Sequence, residues 1–513
     1  MHLSRAAVLG GGPGGLYAAR LLKLAYPSCE VTVYEQGRPD TTFGFGVGLA
    51  AGTQRKLDAA DPDTLRDLVA AGCRHDMTLQ VGGNTVRVHN DRLIGIARTE
   101  LLAILQRHAE KAGVALEFGA RRTAGDLDAD LVIAADGVNS ETRENGSFGA
   151  QVDVGRGLYL WCGTDFALDD AVFAPVRTEH GTFVTHAYPY SGGRSTFLIE
   201  TDERTWRNAG FDLSTDATPP DASDEVSLAY LREIFAEQLR GHALIGNRTR
   251  WLRFRTVRCA RWCDGHTVLL GDAAHTAHFS IGSGTKLAME DAIGLVTALR
   301  EAPDLAVAFQ EYETTRRPAV ERLQELARRS QLWWESFSAR LHLPVEQLMV
   351  AYMTRAGNVP LDRFAVTSPD VVAAALAHYA DDRPLPEPAA ITDWVLDRPL
   401  IHNGRRYPDR HPGHVDAHLV TIDAELTDPW DEAGDAVVAL ARRARDDGAD
   451  GFRVTGPAER TALLTRLDLA ERIRTEVGGL SLVDGPAALR DDLAAGLVSG
   501  RTDLVTLTGE ESR

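Results

Sequence analysis

Cysteine, positive charge and long apolar runs are all scarce in this 513-residue chain. Among its five cysteines only Cys259 and Cys263 are close in sequence, and no second Cys or His pair at zinc-site spacing accompanies them. We therefore expect reduced structural thiols and no metal site. A formal net charge of −18 argues against nucleic acid as a partner. No stretch approaches the roughly 18 uninterrupted apolar residues that a membrane helix requires, and the first residues lack a charged-then-apolar leader. We therefore expect a cytoplasmic protein without a membrane partner.

The length of the chain exceeds what one hydrophobic core needs, so we expect at least two domains. The segment Asp381 to Pro388 has three prolines in five positions and is typical of a linker. We predict a large first domain over 1–380, a linker over 381–392 and an α/β region over 393–513. In that last region strands alternate with helices, which predicts parallel strands.

A glycine-rich turn lies between a short apolar strand and a helix near the start of the chain. Its sequence, GGGPGG, lets the backbone approach a pyrophosphate at the helix N-terminus. Glu35 ends the next predicted strand, where a carboxylate can accept hydrogen bonds from a ribose. The pattern is shared by NAD proteins, FAD proteins and chance glycine loops. The residues predicted to bind a dinucleotide are Gly10, Gly12, Pro13, Gly14, Gly15 and Glu35.

Two later apolar strands also end on a carboxylate. Asp136 opens the motif DGVNSETR, and Asp272 lies in the motif GDAAH. A carboxylate at such a strand end can bind the ribityl chain of FAD. The helix from about Lys286 would point its positive end at the flavin ring. Each turn alone is compatible with a plain strand-to-helix connection, but three such turns in order favour an FAD site.

Together, GGGPGG with Glu35, DGVNSETR and GDAAH resemble the single-component FAD-dependent aromatic hydroxylases over about residues 1–380. The resemblance implies an α/β fold in which a Rossmann-like FAD-binding domain is interleaved with an antiparallel substrate-binding sheet. The FAD parts would be about 1–76, 91–156 and 258–300, the sheet about 77–90 and 157–257, and the helical part 301–380. The further FAD contacts that the resemblance implies are Arg38, Arg98, Gln106, Gly282, Gly284 and Thr285.

Two loops depart from the commoner pattern of that family. His278-Phe279 stands where many members have two prolines, and Phe43 to Leu49 replaces an arginine-bearing loop. Both variants are similar to a narrower branch, the salicyloyl-CoA 5-hydroxylases and anthraniloyl-CoA monooxygenases, with the indole-hydroxylating enzymes of violacein formation close by. We predict that Phe45 and Phe279 contact the substrate.

The resemblance implies that NAD(P)H reduces FAD, that O2 adds at flavin C4a, and that the hydroperoxide oxygenates an electron-rich ring. For a salicyloyl group the carbon para to the hydroxyl is position 5, so the implied reaction is salicyloyl-CoA to gentisyl-CoA. A general base should assist, and each candidate also fits a structural role. The candidate bases are His278, His186, Tyr188 and His275. An indole, tryptophan-type or free aromatic acid substrate stays open, as does a non-catalytic FAD-fold escort protein.

Five arginines lie within the twelve residues Asn247 to Arg258 of this acidic chain. Strand alternation would put Arg253 and Arg255 on one face with Trp251. That face would suit the phosphates and adenine of a CoA thioester, or a substrate bound to a carrier protein. The alternative is a solvated edge strand, or ion pairs with the surplus carboxylates of the chain.

Residues 431–456 and 473–507 resemble the later strands of old-yellow-enzyme-type barrels, which some anthraniloyl-CoA monooxygenases carry. A complete (β/α)8 barrel needs roughly 200 residues or more, and far fewer follow the linker. We therefore predict a shortened, FMN-free barrel remnant that serves packing or assembly in a monomer or homodimer. Alternatively, Gly404 to Asp409 resembles the start of the thioredoxin-like tails of other aromatic hydroxylases.

Overall fold

The computed structural model describes residues 1–39, 42, 44–90, 93–282, 284–380 and 386–509. Phe43, Ser283 and the first five residues of the predicted linker, 381–385, lie outside the described residues. The chain divides into two compact units, Met1–Thr78 with Asn90–Gln331 and Leu79–His89 with Leu332–Arg513. This division falls inside a long helix and not at the proline segment, so a domain boundary at 381–392 stays a prediction.

A six-stranded sheet carries the nucleotide-binding motifs in the first unit. All neighbouring strands are parallel except the short edge strand, which is antiparallel. The buried apolar side chains of these strands form one core with the helices that follow them. The strand order is Cys263–Asp264, Thr267–Leu269, Leu131–Ala134, Arg5–Leu9, Glu30–Glu35 and Ala115–Phe118. The main helices are Pro13–Ala25, Ala51–Ala60, Pro62–Ala71, Arg98–Ala112, Gly284–Glu301 and Leu305–Glu335.

An antiparallel sheet forms the second layer of the first unit. Six strands of this sheet lie wholly in the first unit. Their order is Leu244–Ile245, Ala150–Thr164, Arg194–Thr201, Gly181–Ser191 and Ala171–Thr178, and Trp251–Cys259 also pairs with Ala150–Thr164. The antiparallel sheet expected over about 157–257 is confirmed, and within it Phe183 to Tyr188 pairs with Thr196 to Thr201. Short helices cover the apolar face of this sheet and form a separate core with it. These helices are Glu203–Asn208, Phe211–Ala217, Glu225–Ile234 and Ala236–Leu239.

A small three-stranded sheet has the strand that precedes Arg98 at its centre. It contains Gly46–Leu49, Ile94–Ala97 and Cys73–Arg74. A side chain at Gly95 would put its Cβ atom 2.4 Å from the carbonyl oxygen of Pro189. The lack of a side chain there therefore lets this sheet lie directly against the antiparallel sheet.

The second unit contains helices and a four-stranded parallel sheet. The strands Leu419–Asp423, Gly451–Thr455, Leu480–Pro486 and Leu504–Thr508 pair in chain order. This confirms the predicted βαβα alternation, and the described residues hold no closed barrel. The helices are Val345–Thr354, Leu361–Thr367, Pro369–Ala380, Ile391–Leu396, Glu432–Asp446, Arg460–Glu476 and Arg490–Val498. Leu400–His402 pairs with Arg405–Tyr407, and the strands Met77–Val81 and Asn84–Val88 include residues of the second unit before His89.

In the part of the chain that the structure describes, no helix is both long enough and apolar enough to span a membrane. All five cysteines are free thiols.

Candidate active site

The glycine turn after the first strand has the geometry of an anion-binding loop. Gly10 has a φ of 101°, and a Cβ atom there would lie 2.3 Å from the carbonyl oxygen of Ala135. Gly12 precedes the helix Pro13–Ala25 without a capping side chain, and nothing lies within 4 Å of the Cβ position at Gly12. The first N–H groups of that helix are therefore left for a ligand, which is the arrangement that binds a pyrophosphate.

Glu35 is held beside this turn by two backbone amides. The N–H of Gly11 donates to Oε2 over 2.7 Å, and the N–H of Gly37 donates to Oε1 over 2.6 Å. The carboxylate is thereby fixed at the end of its strand, where a ribose beside the pyrophosphate would meet it.

A cavity of about 890 Å³ opens over the glycine turn and reaches the second motif. All of its lining residues belong to the first unit. It brings together these predicted cofactor residues: Gly10, Gly12, Glu35, Arg38, Arg98, Gln106 and Asp136. Pro13, Gly14 and Gly15 lie just behind it in the first turn of the helix, where a Cβ at Gly14 would lie 2.6 Å from the side chain of Leu270.

Two buried polar atoms at this cavity have no hydrogen-bond partner among the described residues. They are Oδ1 of Asp136 and Nε of Arg98. The other oxygen of Asp136 accepts hydrogen bonds from the backbone N–H and the hydroxyl of Thr142, at 3.2 and 3.0 Å. Buried polar atoms are rarely left unpaired, so these two fit a bound group that accepts from Arg98 and donates to Asp136. In FAD, phosphate oxygens can accept from Arg98 and ribityl hydroxyls can donate to Asp136. The residues therefore fit FAD.

The loop after the strand Thr267–Leu269 carries the third motif. Gly271 has a φ of 62°, in the left-handed region that favours glycine, and it turns the chain so that Asp272 reaches solvent. The surrounding atoms still desolvate this carboxylate and raise its pKa, with Arg98 opposing the shift. Burial in turn lowers the pKa of Arg98, which Asp272 opposes. Gly282, also left-handed with a φ of 63°, leads to Gly284 and Thr285 at the start of the helix Gly284–Glu301.

His275 lies beneath this loop in a buried network. Its Nε2 is 2.8 Å from Oδ2 of Asp291, whose other oxygen accepts from Nε of Arg316 over 2.9 Å. The backbone N–H of Gly271 also donates to Asp291. His275 therefore anchors the loop to the helix behind it, away from the sheet where a substrate would bind.

The other two candidate histidines converge on a carboxylate of the antiparallel sheet. His186 Nε2 lies 2.7 Å from Oε2 of Glu200, and His278 Nε2 lies 3.6 Å from Oε1. Burial alone would raise the pKa of Glu200, but His186 and His278 outweigh it and lower the pKa. We refer to His186, Glu200 and His278 as the His–Glu–His array.

An aromatic cluster surrounds this array. The ring of Phe279 lies 4.9 Å from that of Tyr159, 6.0 Å from that of Trp161 and 6.0 Å from that of Phe254, centre to centre. The ring of Phe45 packs against the antiparallel sheet, because a Cβ at Gly163 would lie 2.5 Å from it. Apolar rings beside buried imidazoles and a carboxylate suit a flat aromatic substrate.

Known proteins are similar to this chain in sequence and in fold. A family model described as an FAD binding domain matches residues 99–327. The salicyloyl-CoA 5-hydroxylase of a Streptomyces species is 38% identical over 519 residues, which cover 98% of this chain and 99% of the relative. The 3-hydroxy-4-methyl-anthranilyl-(aryl-carrier protein) 5-monooxygenase of Streptosporangium sibiricum is 38% identical over 358 residues, 69% of this chain and 95% of the relative. The chain belongs to the FAD-dependent aromatic hydroxylases.

The fold of this hydroxylase is also found in a solved structure. The tetrameric form of 2-methyl-3-hydroxypyridine-5-carboxylic acid oxygenase superposes with a TM-score of 0.52 at 19% identity, covering 72% of this chain and 96% of that one. The predicted fold class, FAD cofactor and flavoprotein monooxygenase activity are thus confirmed. The alternative of a non-catalytic escort protein is set aside.

Tyr188 of the hydroxylase holds the loop that carries Phe45. Its hydroxyl donates to the carbonyl oxygen of Gly46 over 2.8 Å, and burial raises the pKa of Tyr188 to about 12. A phenol that stays protonated and donates to a backbone carbonyl is a fixed structural donor at neutral pH. Tyr188 is therefore placed to position the loop and not to accept a proton.

The side chains predicted to bind CoA on the arginine-rich strand have hydrogen-bond or ion-pair partners within the hydroxylase itself. Trp251 is only 4% exposed, stacks on Phe211, and donates its indole N–H to Ser227, so it is not a CoA contact. Arg253 pairs with Glu203 over 2.8 Å, and Arg255 donates to Oδ1 of Asn139 over the same distance. These contacts favour the alternative of local pairing over the predicted CoA surface.

Glu200 is the residue that sequence analysis missed. It lies in the run Thr196 to Thr201, whose other side chains look like ordinary sheet core. The available signal was Glu200 itself, because a charged residue in a buried strand needs a partner. His186 lies on the neighbouring strand. The third member, His278, is 78 positions further along the chain, and no local pattern connects it to them.

Proposed function

We propose that this hydroxylase converts salicyloyl-CoA to gentisyl-CoA. The observation that carries the proposal is the 38% identity to a salicyloyl-CoA 5-hydroxylase over practically the whole of both chains. The Streptosporangium relative is named for an anthranilyl group on an aryl-carrier protein, which also supports a carrier-bound aromatic acyl group as the substrate class. The balanced reaction is salicyloyl-CoA, O2, NAD(P)H and a proton giving gentisyl-CoA, NAD(P)⁺ and water.

Different residues of the first unit would bind different parts of FAD. The turn Gly10–Gly15 would bind the pyrophosphate, Glu35 the adenosine ribose, and Asp136 and Asp272 the ribityl chain. Arg98 would donate to a phosphate oxygen through its unpaired Nε. The N-terminus of the helix Gly284–Glu301 would favour negative charge on the flavin ring. When bound, FAD supplies the activated oxygen after reduction by NAD(P)H and reaction with O2.

The antiparallel sheet would orient the substrate. Phe45 and Phe279 offer apolar faces to the ring, and the His–Glu–His array lies beside them as a proton acceptor. An ionised ring hydroxyl donates electron density to the para carbon. The same residues therefore select the position that is hydroxylated and increase its reactivity.

Anaerobic stopped-flow reduction of the bound FAD by NADH and by NADPH tests this proposal. We expect salicyloyl-CoA to accelerate reduction by at least about tenfold over no addition, and admission of oxygen to yield gentisyl-CoA. Salicylate, anthraniloyl-CoA, tryptophan and salicyloyl carrier protein are the comparison compounds. Acceleration by tryptophan or free salicylate, without an effect of the thioester, would refute the proposed substrate.

A further inference from the structure

Glu200 is a carboxylate with a mostly buried side chain, 15% exposed, between two imidazoles from distant segments. His186 stands on the neighbouring strand of the antiparallel sheet, and His278 follows the flavin-binding loop. A further titratable residue, Tyr159, lies opposite Glu200 on the neighbouring strand on the other side. Each carboxylate oxygen thus faces the Nε2 atom of one histidine.

The charge on Glu200 needs these partners. A carboxylate taken out of water costs several kcal/mol unless neighbouring groups compensate for the lost hydration. The two imidazoles lower the pKa of Glu200 against the effect of burial, so the carboxylate is ionised at neutral pH. This places a fixed negative charge beside the Nε2 atoms of both imidazoles.

Hydrogen bonding orients the imidazole of His278. The backbone N–H of Ser280 points at Nδ1 of His278, and the Ser280 hydroxyl lies 2.9 Å from that atom. The same hydroxyl lies 2.8 Å from that of Ser330, which extends the polar chain. These contacts hold the ring with its Nε2 atom on the side of Glu200, 3.6 Å from Oε1.

We propose that Glu200 is a positioning residue that makes the His–Glu–His array accept the proton of the substrate's ring hydroxyl. The inference rests on the proposed function and specifies its substrate class: thioesters whose ring bears an ionisable hydroxyl, in preference to those that bear an amine. In this step the O–H bond breaks, an N–H bond forms on an imidazole, and the electron pair stays on the phenolate oxygen. The imidazolium is held against Glu200, and no oxidant or reductant takes part.

The ionisation of bound salicyloyl-CoA can be observed directly. The phenolate absorbs at longer wavelength than the phenol, so a difference spectrum with the oxidised, FAD-loaded enzyme reports the proton without any turnover. We would titrate from about pH 5 to about pH 9, which brackets histidine ionisation. The variants are Glu200→Gln, Glu200→Asp and the matched control Glu313→Gln, whose carboxylate pairs with Arg317 outside the array.

We expect wild type and Glu313→Gln to ionise the bound hydroxyl at a lower pH than free salicyloyl-CoA. In Glu200→Gln the ionisation should move up by about one pH unit or more, a change of roughly tenfold or more in its equilibrium constant. Hydroxylation at neutral pH should fall in kcat with little change in KM and recover at high pH. Glu200→Asp, which keeps the charge, should restore part of the effect and replaces the Gln variant if that fails to fold.

Two results would overturn the inference, and they are distinguishable. If Glu200→Gln ionises the bound hydroxyl as wild type does, Glu200 is only structural while the proposed function stands. If wild type does not bind salicyloyl-CoA, the proposed function fails and this inference fails with it.

Discussion

At the scale of single residues, Gly10 tests whether the turn binds FAD as its geometry indicates. Replacing it with alanine forces a left-handed conformation, at a cost of about 1–3 kcal/mol, and drives Cβ into the Ala135 carbonyl. We expect Gly10→Ala to lose both stability and flavin, seen as a lower Tm and a lower ratio of flavin to protein absorbance.

Gly12→Ala is the matched comparison for Gly10→Ala. Gly12 has a φ of −77° and open space at its Cβ position, so the apoprotein should keep its Tm and lose only FAD affinity. A Gly12→Ala apoprotein as unstable as Gly10→Ala would show that the turn is sensitive for reasons other than ligand approach.

Arg253 tests at the same scale whether the arginine-rich strand binds CoA. Its ion pair with Glu203 is partly exposed, and such pairs contribute about 0–1 kcal/mol. We therefore expect Arg253→Ala to change KM for salicyloyl-CoA by less than about twofold. A rise of roughly tenfold for the thioester, absent for free salicylate, would instead support the CoA surface predicted from the sequence.

At the scale of elements, Asp291 of the helix Gly284–Glu301 stabilises the loop of the third motif through its contacts with Gly271 and His275. Burial alone would raise the pKa of this carboxylate, but His275 and Arg316 outweigh it and lower the pKa. Because the folded pKa lies below the unfolded value, the stabilisation is fully present above the unfolded pKa of about 3.9 and is lost as pH falls through the folded pKa. Asp291→Asn should therefore cost stability near neutral pH, by about 3–5 kcal/mol for a broken buried pair.

Urea unfolding of wild type and Asp291→Asn across the acid range measures this difference. We expect the gap in the free energy of unfolding to shrink as pH falls below about 4. Asp128→Asn, which removes an exposed partner of Arg5, should stay within about 0.5 kcal/mol of wild type and serves as the control. A gap that is constant with pH would mean that the carboxylate charge is not what stabilises the loop.

The elements themselves were largely predictable, while the partners across them were not. The three FAD motifs follow apolar strands, so their positions could be predicted from local patterns. The C-terminal strands follow the predicted alternation with helices because each is a short apolar run between helices. Trp251 was misassigned because alternation in a strand does not tell which face is covered by helices such as Phe211–Ala217. Glu200 was missed because its partners are distant in the sequence.

At the scale of the whole molecule, the two compact units should respond differently to FAD. Every residue that lines the cavity over the glycine turn belongs to the first unit. A ligand that binds only the folded state stabilises it by about 2.7 kcal/mol at a concentration one hundred times Kd. That stabilisation should act first on the unit that contains the site.

Hydrogen exchange with and without FAD would locate this stabilisation. We expect FAD to increase protection in the strands of the six-stranded sheet and in the helix Gly284–Glu301. The four parallel strands between Leu419 and Thr508 should exchange at nearly the same rate in both states, because they contain none of the cavity residues. Equal FAD-dependent protection of those strands would mean that the two units unfold as one.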